Sequence, residues 1–281
     1  MLAAGLLGGP ALAAPPKRII FPVIGPVTYT NDFGAPRGDR RHQGNDIMAA
    51  RRAPVVAVER GRVEIPSWSR SDCALIVHGR SGTDYWYLHL NNDVGPGNDN
   101  RGGCGRGTSY ARGLANGERV RAGELVGYVG DSGDANGISP HLHFELHPNG
   151  GRAVSPYRWL TRAPRLLYAV RGDVPRVRLA LFGRVRSLEE EFGLLVRAVA
   201  VSGGWRGKSA PRVVRLAHAR EMRVERARDG EVFPARLARA TIGERVTVWT
   251  TVFEPTLATQ IARPGVLSAE RIRLRGLPGG R

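Results

Sequence analysis

Residues 141–146, with the sequence HLHFEL, are the segment whose residue types and spacing point most clearly to chemistry. Polar and apolar side chains alternate strictly, which predicts a half-buried β-strand with His141, His143 and Glu145 on one face. Two imidazoles on one face add nothing to strand packing that Thr or Ser would not supply, but they can bind a metal ion or transfer protons. A solvated strand with chance histidines is the alternative, because a single short motif is weak evidence.

Two earlier segments carry further candidate residues. His42 and Asp46 are four residues apart, which is about 13 Å along a regular strand and too far to share an ion. A helix would bring them together, but Gly44 disfavours a helix and permits a turn or bulge that would have the same effect. Residues 85–90, with the sequence YWYLHL, form a second strand-like run and contribute His89.

In this order, the motifs resemble those of the lysostaphin/LytM-type zinc endopeptidases, which cut peptidoglycan cross-links. The family pattern is His-x(3)-Asp, then a Tyr-x-His-Leu strand, then Gly-rich turns that lead to His-x-His. The corresponding segments here are residues 42–46, 87–90 and 127–143. The resemblance covers about residues 30–160, and every metal and catalytic position of the family pattern is present. It implies an all-β fold, with antiparallel sheets and an active site in a groove.

Carried over residue by residue, the resemblance implies that His42, Asp46 and His143 bind one zinc ion per chain. Two histidines and one carboxylate leave the fourth tetrahedral position open, as catalytic zinc sites do and structural sites do not. The resemblance makes His89 and His141 the catalytic groups, which would position a water molecule, move its proton and stabilise the oxyanion. Which of the two is the base stays open.

The other polar residues near these motifs have simpler interpretations. Glu145 either orients a histidine of the site or faces solvent. We interpret His78 as a strand-end residue, His147 as a turn residue and His218 as a surface residue among arginines.

The start of the chain and its cysteines indicate export. Residues 1–16 are apolar, rich in small residues and contain an Ala-x-Ala pattern, which predicts a truncated signal peptide and a location in the cell wall or periplasm. In an exported protein Cys73 and Cys104 are expected to pair, although two free thiols are the alternative because pairing depends on geometry. No segment resembles a membrane span of about 18 unbroken apolar residues.

The formal charge of +17 is concentrated in the second half of the chain. Residues 161–281 contain 24 Lys or Arg and 11 Asp or Glu, a net charge of +13. In an exported protein such a surface is expected to bind anionic wall polymers or lipid headgroups. Nucleic acid is disfavoured because aromatic residues are few and no nucleic-acid motif accompanies the arginines.

Short alternating or apolar runs predict two β-rich domains, 17–162 and 166–281, with a linker near Pro164. The second domain resembles no family and could be a barrel or a sandwich. Residues 187–191 are expected to form a short helical turn. The predicted strands are 53–58, 61–65, 74–78, 84–90, 125–129, 141–146, 177–182, 194–201, 212–217, 222–226, 245–253 and 270–275.

The sequence therefore predicts a secreted zinc metallo-endopeptidase that hydrolyses peptide bonds in peptidoglycan cross-links with a zinc-activated water. A catalytically inactive LytM-like protein, which binds the wall or activates a hydrolase, is the alternative. Such proteins are expected to lose metal ligands, and this chain retains all of them. The sequence does not indicate which cross-link is cut.

Overall fold

The computed structural model describes residues 16, 18–69, 71–189 and 191–275, so nearly all of the predicted signal peptide lies outside the described residues. The described chain is mostly β-strand, as predicted. Its strands are β1 (Val27–Thr28), β2 (Pro36–Arg37), β3 (Arg40–Arg41), β4 (Asn45–Ala49), β5 (Pro54–Val56), β6 (Gly61–Glu64), β7 (Leu75–Gly79), β8 (Thr83–Leu88), β9 (Arg119–Val120), β10 (Leu125–Tyr128), β11 (His141–Pro148), β12 (Leu179–Leu188), β13 (Phe192–Val201), β14 (Arg206–Arg228), β15 (Glu231–Pro234), β16 (Arg245–Thr250) and β17 (Ser268–Arg275). Its helices are α1 (Tyr157–Leu160) and α2 (Leu257–Ile261), with 3₁₀ turns at Gly133–Ala135 and Leu237–Arg239.

The first half is built on a seven-stranded antiparallel sheet with the order β1-β4-β11-β8-β7-β6-β9. Strand β11 lies between β4 and β8, so His143 has Asp46 opposite it on one side and Leu88 on the other. His89 follows Leu88 directly. The topology therefore places the three sequence motifs on neighbouring strands.

One face of β11 forms the core of this half. Leu142, Phe144 and Leu146 are fully buried, and the Phe144 ring meets the edge of the Tyr87 ring at a centroid distance of 5.3 Å. The Tyr87 hydroxyl accepts a hydrogen bond from the Val58 amide at 2.9 Å. Burying each such side chain stabilises the fold by about 1.5–3 kcal/mol. A register slip of one residue would expose this face, so the same packing fixes the side on which the histidines lie.

The opposite face of β11 is also buried, which corrects the prediction of a half-buried strand. His141, His143, Glu145 and His147 are only 4%, 8%, 7% and 7% exposed. Each of these side chains has a hydrogen-bond partner, as expected because polar groups are buried at low cost only when they are paired.

The second half forms a sheet with the order β13-β12-β16-β17-β14-β15, and an additional β13–β14 pairing closes five of its strands into a barrel. Strand β14 pairs with β13, β15 and β17, and the pairing with β17 is parallel. The predicted strands 212–217 and 222–226 are parts of this single long strand.

The prediction of a helical turn at 187–191 is wrong at residues 187 and 188. Ser187 and Leu188 extend β12 and pair with Gly193 and Phe192 of β13. A Cβ atom on Gly193 would lie 2.1 Å from the Ser187 Oγ, so the glycine permits this close approach of the two strands.

The connector between the halves packs into both cores. Leu166 and Ala169 belong to the core of the first half, whereas Leu167 and Tyr168 belong to the core of the second. The predicted linker residue Pro164 accepts a hydrogen bond from the Phe21 amide at 3.1 Å. The assigned domain boundaries remain a prediction, but the connector is an ordered segment.

Polar contacts also join the halves. Arg171 forms salt bridges with Glu118 and Glu124 of the first half. In the other direction, the Gln260 side chain donates to the Gly123 carbonyl at 2.8 Å. These contacts fix the two halves against each other around a shared groove.

Cys73 and Cys104 form a disulfide with a Cα–Cα distance of 4.8 Å, which confirms the expected pairing. Their separation of 31 residues corresponds to a stabilisation of about 3–4 kcal/mol in the chain-entropy description. The enclosed loop contains His89, so the bond restrains a segment of the candidate site. In the described part of the chain, no helix is long and apolar enough to cross a membrane.

Candidate metal centre and active site

The side chains of His42, Asp46 and His143 converge on one point. His42 Nε2 lies 3.1 Å from Asp46 Oδ1 and 2.9 Å from His143 Nδ1, and the third distance, between His143 Nδ1 and Asp46 Oδ1, is 3.0 Å. Among the described residues, no other cluster of His, Cys, Asp and Glu has three potential ligand atoms this close together.

A bend at Gly44 brings His42 and Asp46 together. The bend lies between the end of β3 and the start of β4, where the sequence predicts a turn or bulge. A Cβ atom on residue 44 would lie 2.5 Å from the Phe144 carbonyl oxygen and 2.8 Å from His143 Nε2. Glycine is therefore required for the chain to pass this close to β11.

The outer nitrogen of each histidine in this cluster faces an oxygen acceptor. His42 Nδ1 lies 3.0 Å from the Asp32 carbonyl oxygen, and His143 Nε2 lies 2.7 Å from Glu145 Oε1. A neutral imidazole has one N–H group, which these acceptors fix on the outer nitrogen. The inner nitrogens then present lone pairs beside the Asp46 carboxylate. With the inner nitrogens deprotonated, these three electron-pair donors suit a cation, so the residues fit a zinc ion.

The Asp46 carboxylate supplies the negative charge of this cluster. Burial opposes ionisation of Asp46, but hydrogen bonds with His143 and His42 hold the pKa of its carboxyl far below the usual range. Burial opposes protonation of His143, yet its bonds with Asp46 and Glu145 raise its pKa to about 9, so a metal ion that binds Nδ1 would have to replace a proton there. The second oxygen of Asp46 accepts a hydrogen bond from Arg37 at 2.6 Å, which orients the carboxylate.

The two predicted catalytic histidines border this cluster. His89 Nδ1 lies 2.9 Å from the Ser132 carbonyl oxygen, and His141 Nδ1 lies 2.9 Å from the Ser139 carbonyl oxygen. Both acceptors fix the N–H on Nδ1, so each Nε2 is left as an acceptor. The two ring centroids are 5.1 Å apart, and His141 Nε2 is 3.8 Å from Asp46 Oδ1.

His89 occupies an unusual backbone and electrostatic position. Its φ of 58° is left-handed, a conformation that residues other than glycine adopt rarely and often at functional sites. Burial, together with the neighbouring His141 and His143 rings, lowers its pKa to about 4. The ring is therefore neutral near pH 7 and can accept a proton.

A hydrogen-bonded chain continues outward from His143. Glu145 Oε1 faces His143, which decides between the two interpretations of this residue, and its Oε2 lies 2.5 Å from His147 Nε2. His147 Nδ1 lies 2.8 Å from the Gly151 carbonyl oxygen, and the Trp86 ring stacks on the imidazole at 4.7 Å. The interpretation of His147 as a turn residue is wrong. The same alternation that selected residues 141–145 extends to it.

The other two histidines lie outside the cluster. His78 is half-buried near the end of β7 and is hydrogen-bonded to Glu64 and Asp84, each at 2.8 Å. His218 is exposed on β14. Neither residue belongs to the convergent ligand set.

Arg51 holds together the loops behind the site. This role was not predicted from the sequence. It binds both oxygens of Asp131, at 2.6 Å and 2.8 Å, and also contacts Asp93. Both carboxylates are completely buried. Asp131 precedes Ser132, whose carbonyl holds His89, and Asp93 lies in the loop that follows His89. The three residues are far apart in sequence and follow no pattern that could have predicted the contact.

A family model described as Peptidase family M23 matches residues 105–156. The resemblance inferred from the motifs is confirmed. The matched segment contains His141 and His143 and supports a peptidase role. His42, Asp46 and His89 lie before the matched segment and join it only through the fold.

Two curated relatives match part of the chain. The L-Ala–D-Glu endopeptidase of Bacillus subtilis is 28% identical over 159 residues, covering 52% of this chain and 44% of the relative. An uncharacterized metalloprotease of Haemophilus influenzae is 30% identical over 119 residues, covering 42% of this chain and 20% of the relative. The chain thus spans less than half the length of either protein.

Among solved structures, the catalytic domain of lysostaphin from Staphylococcus simulans aligns with a TM-score of 0.36 and 23% identity. The alignment covers 48% of this chain and 92% of that domain.

The close approach at Gly44 predicts the effect of adding one methyl group. Gly44→Ala should lower zinc affinity at least tenfold, because the new Cβ displaces either the His143 ring or strand β11. Zinc titration of the purified variant, with circular dichroism to monitor the fold, measures this. Gly97→Ala is the matched control, since a Cβ there meets nothing within 4 Å. Equal zinc affinity of the two variants would contradict the prediction.

The buried contacts of Arg51 predict a large loss of stability on substitution. Arg51→Met leaves Asp93 and Asp131 without their cation and should lower the free energy of unfolding by about 3 kcal/mol. Arg80 is exposed and its side chain forms no hydrogen bond or salt bridge within the described residues, so Arg80→Met should change this free energy by no more than about 0.5 kcal/mol. Denaturant unfolding of both variants tests this, and similar midpoints would show that the buried contacts contribute little.

Proposed function

We propose that this protein is a zinc metallo-endopeptidase that hydrolyses peptide bonds in peptidoglycan cross-links, with His42, Asp46 and His143 as the zinc ligands. The observation that carries the proposal is the convergence of three donor atoms within 3.1 Å of one another, beside the two imidazoles of His89 and His141. The peptidase role supported by the family match agrees with this chemistry.

A zinc ion bound here would polarise a scissile carbonyl and lower the pKa of a water molecule. The chain itself supplies the proton transfers. The Nε2 atoms of His89 and His141 are the acceptors for a proton from that water. Once protonated, either ring can donate to the oxyanion or to the leaving amine, and the carbonyls of Ser132 and Ser139 stabilise the imidazolium.

The proposed substrate is the peptide part of the bacterial cell wall, and the proposed location is the wall or periplasm. The Bacillus subtilis relative is named for a bond between alanine and glutamate. That name supports a peptide substrate with a carboxylate close to the cleaved bond. The disulfide supports export, because disulfides persist mainly in oxidising compartments.

We further propose that the second half attracts anionic wall polymers. Its net charge is +13, and Arg215, Arg220 and Arg223 are exposed along β14. Attraction between exposed charges is screened over about 8 Å at physiological salt, so the attraction should depend on ionic strength.

Replacing Arg215, Arg220 and Arg223 together with glutamine gives the β14 triple variant. It should sediment less with purified cell walls than the wild-type protein at low salt, and the difference should shrink at high salt. Equal sedimentation of the variant and the wild-type protein at low salt would show that these arginines do not contribute to wall binding.

Loss of a proposed ligand should remove both metal and activity. Purified His42→Ala, Asp46→Ala and His143→Ala proteins should each contain much less zinc and should fail to release peptides from cell walls. Elemental analysis and a turnover assay measure this, with His218→Ala as the control histidine. Full zinc content and activity in His143→Ala would refute the ligand assignment. A wild-type protein with stoichiometric zinc and no turnover would favour the inactive alternative.

Loss of a proposed catalytic histidine should separate binding from chemistry. His89→Ala and His141→Ala should retain most of their zinc, yet hydrolyse about 10²–10⁴-fold more slowly, the usual contribution of a positioned acid–base group. Zinc content and rate are measured on the same preparations. Stoichiometric zinc loss in both variants would place the two histidines among the ligands instead.

A further inference from the structure

A large groove lies between the two halves of the chain. Its volume is about 1430 Å³. Ligand pockets for small molecules measure about 300–1,000 Å³, so this groove suits a longer ligand. The first half contributes Val27, Thr28 and Met48, and the second half contributes the β13–β14 turn with Trp205.

The groove presents unpaired positive charge. Arg52, Arg112, Arg206 and Lys208 line it and are exposed, and none of them forms a salt bridge within the described part of the chain. Two other lining arginines, Arg51 and Arg171, are bound to carboxylates of the protein. Asp173 is the one acidic residue in the described lining. Arg52 donates to the Asp93 and Gly107 carbonyls, and Arg206 lies over the Phe182 ring, but neither contact neutralises a charge. Four cations without a carboxylate partner, against one carboxylate, favour an anionic ligand.

The groove reaches the candidate active site. Met48 also lines it, lies two residues after Asp46 on the same face of β4, and pairs with His141. Two strand residues span about 7 Å, so one end of the groove begins within a residue or two of the proposed ligands. Ser139, whose carbonyl holds His141, is also in the lining.

An edge strand runs along the groove. Strand β1 is first in the order of the seven-stranded sheet and pairs only with β4 among the described strands. Its two residues, Val27 and Thr28, line the groove. An edge strand presents unpaired backbone N–H and C=O groups, with which an extended peptide can pair. This feature favours a peptide over other anionic polymers.

We propose that this groove binds the carboxylate-bearing part of an extended peptide, while the adjoining peptide bond lies at the metal site. The proposal deepens the proposed function and rests on it for the identity of the cleaved bond. Arg206 and Lys208 come from the second half, and Arg52 and Arg112 from the first. The second half is therefore part of the substrate-binding site, and the groove selects peptides with an acidic residue beside the cleaved bond.

The test measures binding to the full-length protein after removal of metal with a chelator, so it does not depend on hydrolysis. The probes are two fluorescent peptides of equal length, one with an alanine–D-glutamate pair at its centre and one with D-glutamine in its place. The groove variant combines Arg112→Gln, Arg206→Gln and Lys208→Gln. The control variant combines Arg60→Gln, Arg80→Gln and Arg119→Gln, which removes the same number of exposed charges outside the groove lining, near the sheet edge opposite β1.

The groove variant should bind the glutamate peptide at least tenfold more weakly than the wild-type protein, since charge-assisted hydrogen bonds are lost. The control variant should bind it as the wild type does, and the glutamine peptide should bind weakly to all three proteins. Equal affinity of all three proteins for the glutamate peptide would overturn the proposal. An equal loss in both variants would do the same, because general surface charge would then explain the binding. Failure of the wild type to hydrolyse walls, with the expected binding pattern intact, would count against the proposed function alone.

Discussion

The candidate site depends on one interaction repeated four times: a histidine uses one ring nitrogen to hold a fixed oxygen and thereby aims the other. His42, His89 and His141 hold backbone carbonyl oxygens, and His143 holds the Glu145 carboxylate. Strands and tight loops hold the backbone oxygens in place, so the rings that bind these oxygens are held in place as well. Two inner nitrogens then face the proposed metal position, and two face the space beside it.

This arrangement also explains why the polar face of β11 is buried. A buried imidazole or carboxylate is costly unless each of its polar atoms is paired. The chain from His143 through Glu145 and His147 to the Gly151 carbonyl supplies those partners in sequence. Burial excludes water that would compete for the same hydrogen bonds, and the bonds make burial tolerable. Rigidity and burial at this site therefore require each other.

The sequence predicted those features that follow a local pattern. The period of two in residues 141–146 correctly indicated a strand and the face on which its histidines lie, and Gly44 correctly marked a turn. Features that depend on distant contacts were missed. Arg51 and Asp131 are 80 residues apart, and no periodicity relates them. The two predicted segments within β14 are one continuous strand, because the pairing partners that extend it lie elsewhere in the chain.

The contact between the two halves forms despite repulsion among the positive charges of the groove. Four exposed cations line the groove, and like charges held together destabilise a compact arrangement. Apolar packing opposes this repulsion: Leu167 and Tyr168 of the connector are completely buried in the second core, while Leu166 packs into the first. An anionic ligand in the groove would relieve the repulsion, and it would contact both halves only while they are packed together. By mass action it would stabilise the arrangement of the two halves as well as occupy the site. The proposed substrate binding and the packing of the two halves are thus coupled through the same four side chains.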